Sequence, residues 1–352
     1  MQDDEEYFKG RGAQIKTGNK FLKEQYVTEH IEGLDEPLLS APSTQVFYES
    51  AKNVVNKVTS PDVGMMYSLN PYQGCEHGCI YCYARNSHEY WGFSAGLDFE
   101  SKIIVKKNAP SLLEKFILRP DWNVVPISLS GNTDCYQPLE RKLEITRALL
   151  KIFVQYRHPV TMITKNSLVL RDLDLLKDLA KDNLVQVFVS ITSLDENLRR
   201  MMEPRTASGL KRLKTVEELS KAGVPVGIMN APIIPGLNHH EIPQIIKAAA
   251  DHGALTAGMT IVRLNGSIGK IFEDWLRKNF PDRFEKVWNQ ISSMHGGHVN
   301  DSNFGRRMTG EGNFADVIYQ LFRTSKKKYF QDRSLPPLDL TKFRKGGSLS
   351  LF

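Results

Sequence analysis

Three of the chain's four cysteines fall within eight residues, and this cluster constrains the fold more than any other feature of the sequence. In YSLNPYQGCEHGCIYCYAR, residues 67–85, Cys75, Cys79 and Cys82 are spaced C-x3-C-x2-C. Asn70, Pro71 and Gly74 make the approach a turn, and Gly78 loosens the segment between the first two thiols. So short a loop does not easily bring three thiolates onto one zinc ion. It can wrap them over three corners of an iron–sulfur cube, whose irons are held by Cys thiolates. A closed four-iron cluster takes four cysteines, so a three-cysteine loop leaves one iron open for chemistry. Two other readings stay open on the residues alone. A structural zinc site would need a fourth donor, for which His77 and His88 are placed in sequence. A disulfide would leave an odd thiol.

The rest of the chain sets bounds. Its 352 residues suffice for one large α/β domain with decorations or for two ordinary domains. No apolar run is long enough to span a bilayer, and MQDDEE is the wrong opening for a secretory signal. Few cysteines without a disulfide framework suit a reducing, cytoplasmic compartment. A net charge of +6 permits a nucleic-acid partner without demanding one. The dense run Lys326-Lys327-Lys328 reads as a solvated helix end.

Residues 1–60 lack a sustained apolar period and read as an irregular N-terminal arm, with the acidic start frayed. GRGAQIKTGNKFLKEQYV, residues 10–27, either folds over the mouth of a site or lies on the surface. From residue 65 strand and helix patterns alternate, as parallel βα units require. Strands are expected at 65–69, 125–129, 160–164, 185–192, 224–231 and 257–264, and helices at 139–156, 171–181, 210–222 and 240–252. Six such units, over 61–265, predict a partial (βα)6 barrel, whose site would sit at the carboxyl ends of its strands. Residues 266–352 predict a helical C-terminal region packed on the open barrel, with helices at 272–279, 281–294 and 314–329.

With an aromatic residue, Tyr81, just before the last cysteine, the triplet resembles the signature of the radical S-adenosylmethionine (radical SAM) enzymes. EPRTASGLKRLKTVEELSKAGVPVGIMNAPIIPGLNHHE, residues 203–241, is similar to the spore photoproduct lyase-like branch. Within that branch it is most similar to a bacterial group described as DNA-repair photolyase-like. The resemblance runs over about residues 10 to 330. It implies a [4Fe-4S] cluster on Cys75, Cys79 and Cys82 and S-adenosylmethionine as cosubstrate. It also implies an external one-electron reductant of the flavodoxin or ferredoxin kind.

Strand ends then carry the expected contacts. By resemblance Asn132, Thr133 and Asp134 meet the methionine end of the cosubstrate, although turn and capping chemistry suits the same residues. Lys165 and Ser190 are assigned its carboxylate and ribose. Gly236, in IPGLNHHE, permits a turn near the adenine, and Glu241 orders the following helix start. His239 and His240 read as helix-start residues, and Arg205 as an anion binder or the partner of Glu203. Cys135 follows the same strand whose loop carries a hydrogen-donating cysteine in the lyase-like branch, at a shifted register. That makes it a candidate donor, against inert burial as a small apolar group. Asp301, Arg306 and Arg307, set among glycines, are placed to face substrate phosphates or to dock the tail. The implied activity is reductive cleavage of S-adenosylmethionine to a 5′-deoxyadenosyl radical that abstracts hydrogen, by analogy from a nucleic-acid base or lesion. A non-catalytic iron–sulfur electron carrier and a zinc-stabilised nucleic-acid-binding module are the rival classes.

Overall fold

All six expected strands lie side by side in one sheet, in the computed structural model, which describes residues 7–22 and 43–346. The acidic start and residues 23–27 of the arm lie outside the described residues. In chain order the strands are β1 Gln45–Glu49, β2 Val55–Lys57, β3 Tyr67–Leu69, β4 Tyr72–Gln73, β5 Lys102–Lys106, β6 Ile127–Leu129, β7 Val160–Thr164, β8 Val185–Ser190, β9 Val226–Ile233 and β10 Thr256–Ile261. The main sheet has the order β10-β9-β8-β7-β6-β3-β2. Every pairing in it is parallel except that of β2 with β3. β10 and β2 are its two edges, so the barrel is partial and has an open seam.

The helices are α1 Leu97–Ser101, α2 Ala109–Ile117, α3 Glu140–Leu143, α4 Ile145–Gln155, α5 Leu173–Ala180, α6 Glu196–Met202, α7 Gly209–Lys221, α8 Ile242–Asp251, α9 Ile268–Asn279, α10 Phe284–Met294 and α11 Asn313–Phe330. In the strands burial alternates: Val160 and Met162 of β7, and Val185, Val187 and Val189 of β8, join the main core. Ile163, next to Met162, faces a cavity instead. α9 and α10 build a second core with Ile80, Tyr81, Val262 and Leu264, so the helical C-terminal region braces the cysteine loop from outside the barrel. No helix among the described residues is long and apolar enough to cross a membrane.

The structure departs from expectation in several places. The helix expected over 139–156 is two helices, α3 and α4, with Glu144 between them at φ 53°. The break lets the buried Glu140 carboxylate accept from Thr146 N at 3.1 Å, at the start of α4, while Arg171 and the Tyr72 hydroxyl also bond to it. Residues 257–264 do not remain strand throughout: the chain leaves the sheet after Ile261, where Ile261 N turns to Met308 O (3.2 Å) and Val262 N to Ile233 O (2.9 Å). The arm expected over 1–60 holds two strands. β2 joins the main sheet, and β1 pairs in parallel with β5 in a small sheet of order β1-β5-β4. Neither the periodicity nor the local composition signalled β1, because its partner lies more than fifty residues downstream.

The C-terminal tail runs across the amino ends of the strands. Gln186 Nε2 donates to Pro336 O, Asp339 N to Asn183 O and Arg344 N to Tyr156 O. Asn183 and Tyr156 lie just before β8 and β7, so this segment closes the end of the barrel opposite the cysteine loop.

Candidate functional site

The cysteine loop owes its shape to contacts from distant segments. Gly74 and Gly78 take φ of +81° and +68°, conformations that side chains other than glycine disfavour. Cys75 N donates to Phe99 O (2.9 Å) and Ile80 N to Met202 O (3.0 Å), pinning the loop to α1 and α6. Inside the turn, Arg85 donates to the carbonyls of Cys79 (3.0 Å) and Gly78 (3.2 Å), and it pairs with Glu100. The Glu100 carboxylate also accepts Gly12 N (3.0 Å) and Ala13 N (2.8 Å), so this part of the arm is docked behind the loop and not over its mouth. A methyl on Gly12 would stand 1.8 Å from Gly78 O, so only glycine fits there.

A second buried ion pair holds the loop from the barrel side. Glu203 is fully buried, pairs with Arg212, and accepts from Thr192 Oγ1 at 2.6 Å and from the Tyr81 hydroxyl. Burial alone would raise this carboxyl, yet Arg212, Lys165 and the hydroxyl donors hold it at about 2. Arg205, the partner expected from sequence, faces Glu76 at 3.8 Å instead. Glu241 accepts from Ser193 Oγ (2.6 Å) and Leu194 N (2.7 Å), ordering the approach to α6 and not the start of α8.

The three cysteines line one wall of a cavity of about 470 Å³ at the carboxyl ends of the strands. Burial, first of all, pushes all three thiols up. Among the described residues no group of three or more His, Cys, Asp or Glu side chains converges to hold a single ion. The donor set therefore fits a multi-iron group presented to three separate thiols, not a closed zinc tetrahedron. His77 does not complete a zinc site: its Nδ1 lies 3.3 Å from Asp134, and its Nε2 lies 3.3 Å from Asn166. His88 is buried between Phe93 and Phe99, ring centroids 5.2 and 5.6 Å away.

Tyr81, Asn132, Thr133, Asp134, Lys165 and Ser190 all line the same cavity. Their polar atoms are not equally available. Thr133 Oγ1 donates to Tyr72 O at 2.6 Å, and Asn132 Nδ2 to Ser87 Oγ at 3.0 Å. Asp134 accepts from Thr164 Oγ1, Lys165 N and Tyr136 N, each at 2.8 Å, and faces His77. Burial would raise its carboxyl, but His77 and these donors keep it below the usual value. The loop after β6 is thus mostly engaged in holding itself against the cysteine loop. The Lys165 ammonium and the Ser190 hydroxyl, by contrast, have no hydrogen-bond partner among the described residues. Lys165 lies 5.9 Å above the Tyr81 ring.

Two residues singled out in sequence do not line the cavity. Cys135 is fully buried in the main core, its backbone N bonded to Ser130 Oγ at 2.8 Å. Gly236 makes its turn (φ 76°) against Val287 and Gln290, on α10. Inert burial is the reading that the Cys135 position supports, and Cys135→Ala is expected to cost on the order of 1 kcal/mol by thermal melting. Product formation per bound cluster should stay unchanged. A selective loss of hydrogen return would reinstate the thiol as a donor.

Arg307 and partners that no local sequence signal indicated frame the cavity's far end. The Gly305–Met308 segment crosses from the β10 edge to the loop after β2, where Arg307 pairs with Asp62 and donates to Ser60 Oγ (2.6 Å). Gly305 N also donates to Asp62, at 2.6 Å. The open seam of the barrel is bridged at this point. Arg306 turns away to Asp301 and Glu311, so the expectation of two adjacent arginines clamping substrate does not hold for it.

The chain matches the Radical SAM superfamily over residues 69–249. It is 32% identical over 234 residues to an uncharacterised protein of Mycobacterium tuberculosis, a span covering 66% of this chain and 69% of that one. An uncharacterised protein of Methanocaldococcus jannaschii is 30% identical over 242 residues, covering 69% of this chain and 86% of its own length. Among solved structures, spore photoproduct lyase complexed with dinucleoside spore photoproduct superposes with a TM-score of 0.59. That likeness covers 81% of this chain and 79% of the lyase at 16% identity, and it shows the fold. A variant of the lyase with bound AdoMet and dinucleoside spore photoproduct gives 0.58.

Proposed function

The chain belongs to the radical SAM superfamily, enzymes that use a [4Fe-4S] cluster and S-adenosylmethionine, and from that premise we propose how its own residues divide the work. Cys75, Cys79 and Cys82 would hold the cluster. Reduced by an external flavodoxin- or ferredoxin-like donor, the bound cluster would supply the one electron that cleaves S-adenosylmethionine to methionine and a 5′-deoxyadenosyl radical for hydrogen abstraction. Lys165 neutralises the cosubstrate carboxylate, since a cation at the rim of a buried site offsets the cost of enclosing an anion. Ser190 offers its hydroxyl to the ribose. Asn132, Thr133 and Asp134 keep the strand end in register with the loop. Tyr81, tied to Glu203, fixes the peptide between Cys79 and Cys82. The substrate is a nucleic-acid base or lesion, a reading supported by the shared fold with the lyase and by a cavity with an apolar far end.

The observation that carries this reading is the convergence of the buried Cys75 and Cys79, the partly buried Cys82, and the side chains of Lys165 and Ser190 on one cavity at the strand ends. Anaerobic reconstitution with iron and sulfide, followed by S-adenosylmethionine and dithionite, should yield 5′-deoxyadenosine and methionine in equal amounts by chromatography. A brown, iron-loaded protein that binds no S-adenosylmethionine would favour the electron carrier. A colourless preparation holding zinc would favour the zinc module.

A further inference from the structure

Two arginines lie at the seam end of the cavity, and only one of them is paired. Arg307 has Asp62 and Ser60. Arg263 has neither an ion pair nor a hydrogen bond to any described residue, although it lines the cavity and is only partly exposed. Its backbone is fixed on both sides. Val262 N is bonded to Ile233 O and Leu264 N to Val299 O, both at 2.9 Å, and both flanking side chains are buried in the second core. Asp62, the nearest carboxylate, already accepts from Arg307 and Gly305 N.

The walls around Arg263 are apolar. Val58, Val63, Met65 and Met308 line the same end, and methionines adapt to a variety of flat ligands. A guanidinium partly removed from water and beside a second arginine is costly unless a counter-charge arrives. Burial, then the charge of Arg307, draws Arg263 below its ordinary value, which is the mark of a cation short of an anion. The guanidinium fork matches the two oxygens of a phosphate or a carboxylate.

We propose that Arg263 anchors an oxyanion, phosphate or carboxylate, on a substrate whose apolar body lies between the seam residues and the cofactor half of the cavity. The inference rests on the proposed function for the division of the cavity, with Lys165 and Ser190 serving the cosubstrate. It narrows the substrate to molecules that carry a negative group beside a flat apolar one, as a nucleotide does and a free base does not.

The test is calorimetric binding to the cluster-loaded protein with S-adenosylmethionine present and no reductant, comparing thymidine 5′-monophosphate with thymidine, and benzoate with benzyl alcohol. At least one anion should bind about tenfold or more tighter than its neutral counterpart, as expected for a charge-assisted fork. The pair that shows the difference identifies the oxyanion as phosphate or carboxylate. Arg263→Gln should erase the difference, Arg263→Lys should restore part of it, and the affinity for S-adenosylmethionine should stay within about twofold. The proposal is overturned if neither anion is preferred by the unaltered protein, or if Arg263→Gln keeps the preference. It is also overturned if that variant weakens S-adenosylmethionine by the same factor, because Arg263 would then belong to the cosubstrate. Failure of the radical reading shows separately, as an absence of 5′-deoxyadenosine on reduction while the anion preference persists.

Discussion

Replacing Cys75, Cys79 or Cys82 singly with serine is expected to lower bound iron from about four per chain to less than about one after anaerobic reconstitution. Formation of 5′-deoxyadenosine should fall by at least about 1,000-fold. The large effect follows from the geometry. All three thiols line the same cavity wall, and His77 and Asp134, which line it too, are engaged with each other. Serine keeps the volume and a polar atom, so the loop should still fold; the hydroxyl does not deprotonate to a soft ligand for iron. The Cys135→Ala protein is the matched control, because Cys135 sits in the main core and does not line the cavity. Iron and sulfide analysis with the visible spectrum reads the first quantity, and chromatography the second. A serine variant that retains the full iron content and product yield would remove that cysteine from the ligand set.

How much of this was legible in sequence depends on the distance over which a signal acts. The cysteine spacing and the strand–helix alternation are local, and together they point to the carboxyl ends of β6, β7 and β8, where the cavity lined by the three cysteines lies. Lys165 and Ser190 follow directly, since each ends or follows an apolar strand. What held no local signal are the pairs that close over long separations: Glu203 with Arg212 beneath Tyr81, Arg307 with Asp62 across the seam, and Arg85 with Glu100 and the arm. Charge alone did not tell them apart. Arg205 and Arg306 looked as well placed as Arg212 and Arg307, and only the fold shows which are buried against a carboxylate. Gly236 turns against α10 and does not line the cavity, while Cys135 takes the buried position that was the alternative to hydrogen donation. A residue on a loop after a strand can face the cavity or the core, and the direction is set by its neighbours. Thr133 and Asp134 do reach the cavity, but their hydrogen bonds are spent on the protein.

Glu100→Ala should destabilise the protein by about 3–5 kcal/mol, because it leaves the Arg85 guanidinium buried without its counter-charge. Arg85 and Glu100 are both fully buried, and the nearest alternatives for Arg85 are carbonyls of Ala95 and Gly96, which it already uses. Two amides, Gly12 N and Ala13 N, lose their acceptor at the same time. For large domains each kcal/mol moves the melting temperature by about 2–4 °C, so a fall on the order of 10 °C is expected in the metal-free protein. Stability is not the whole effect. Arg85 holds the carbonyls of Gly78 and Cys79, so its release loosens the peptide between the first two cysteines. Iron content after reconstitution should drop with it, and a protease should cut the arm over residues 7–22, whose Gly12 is seated against Gly78 O. Glu100→Gln separates charge from shape. The amide oxygen can still accept one of the three donors, so its loss should lie between those of the unaltered protein and the alanine variant. If the glutamine variant melted and loaded iron as the unaltered protein does, the arm would be a passenger. The three cysteines would then be ordered by their own turn and by α1 and α6 alone.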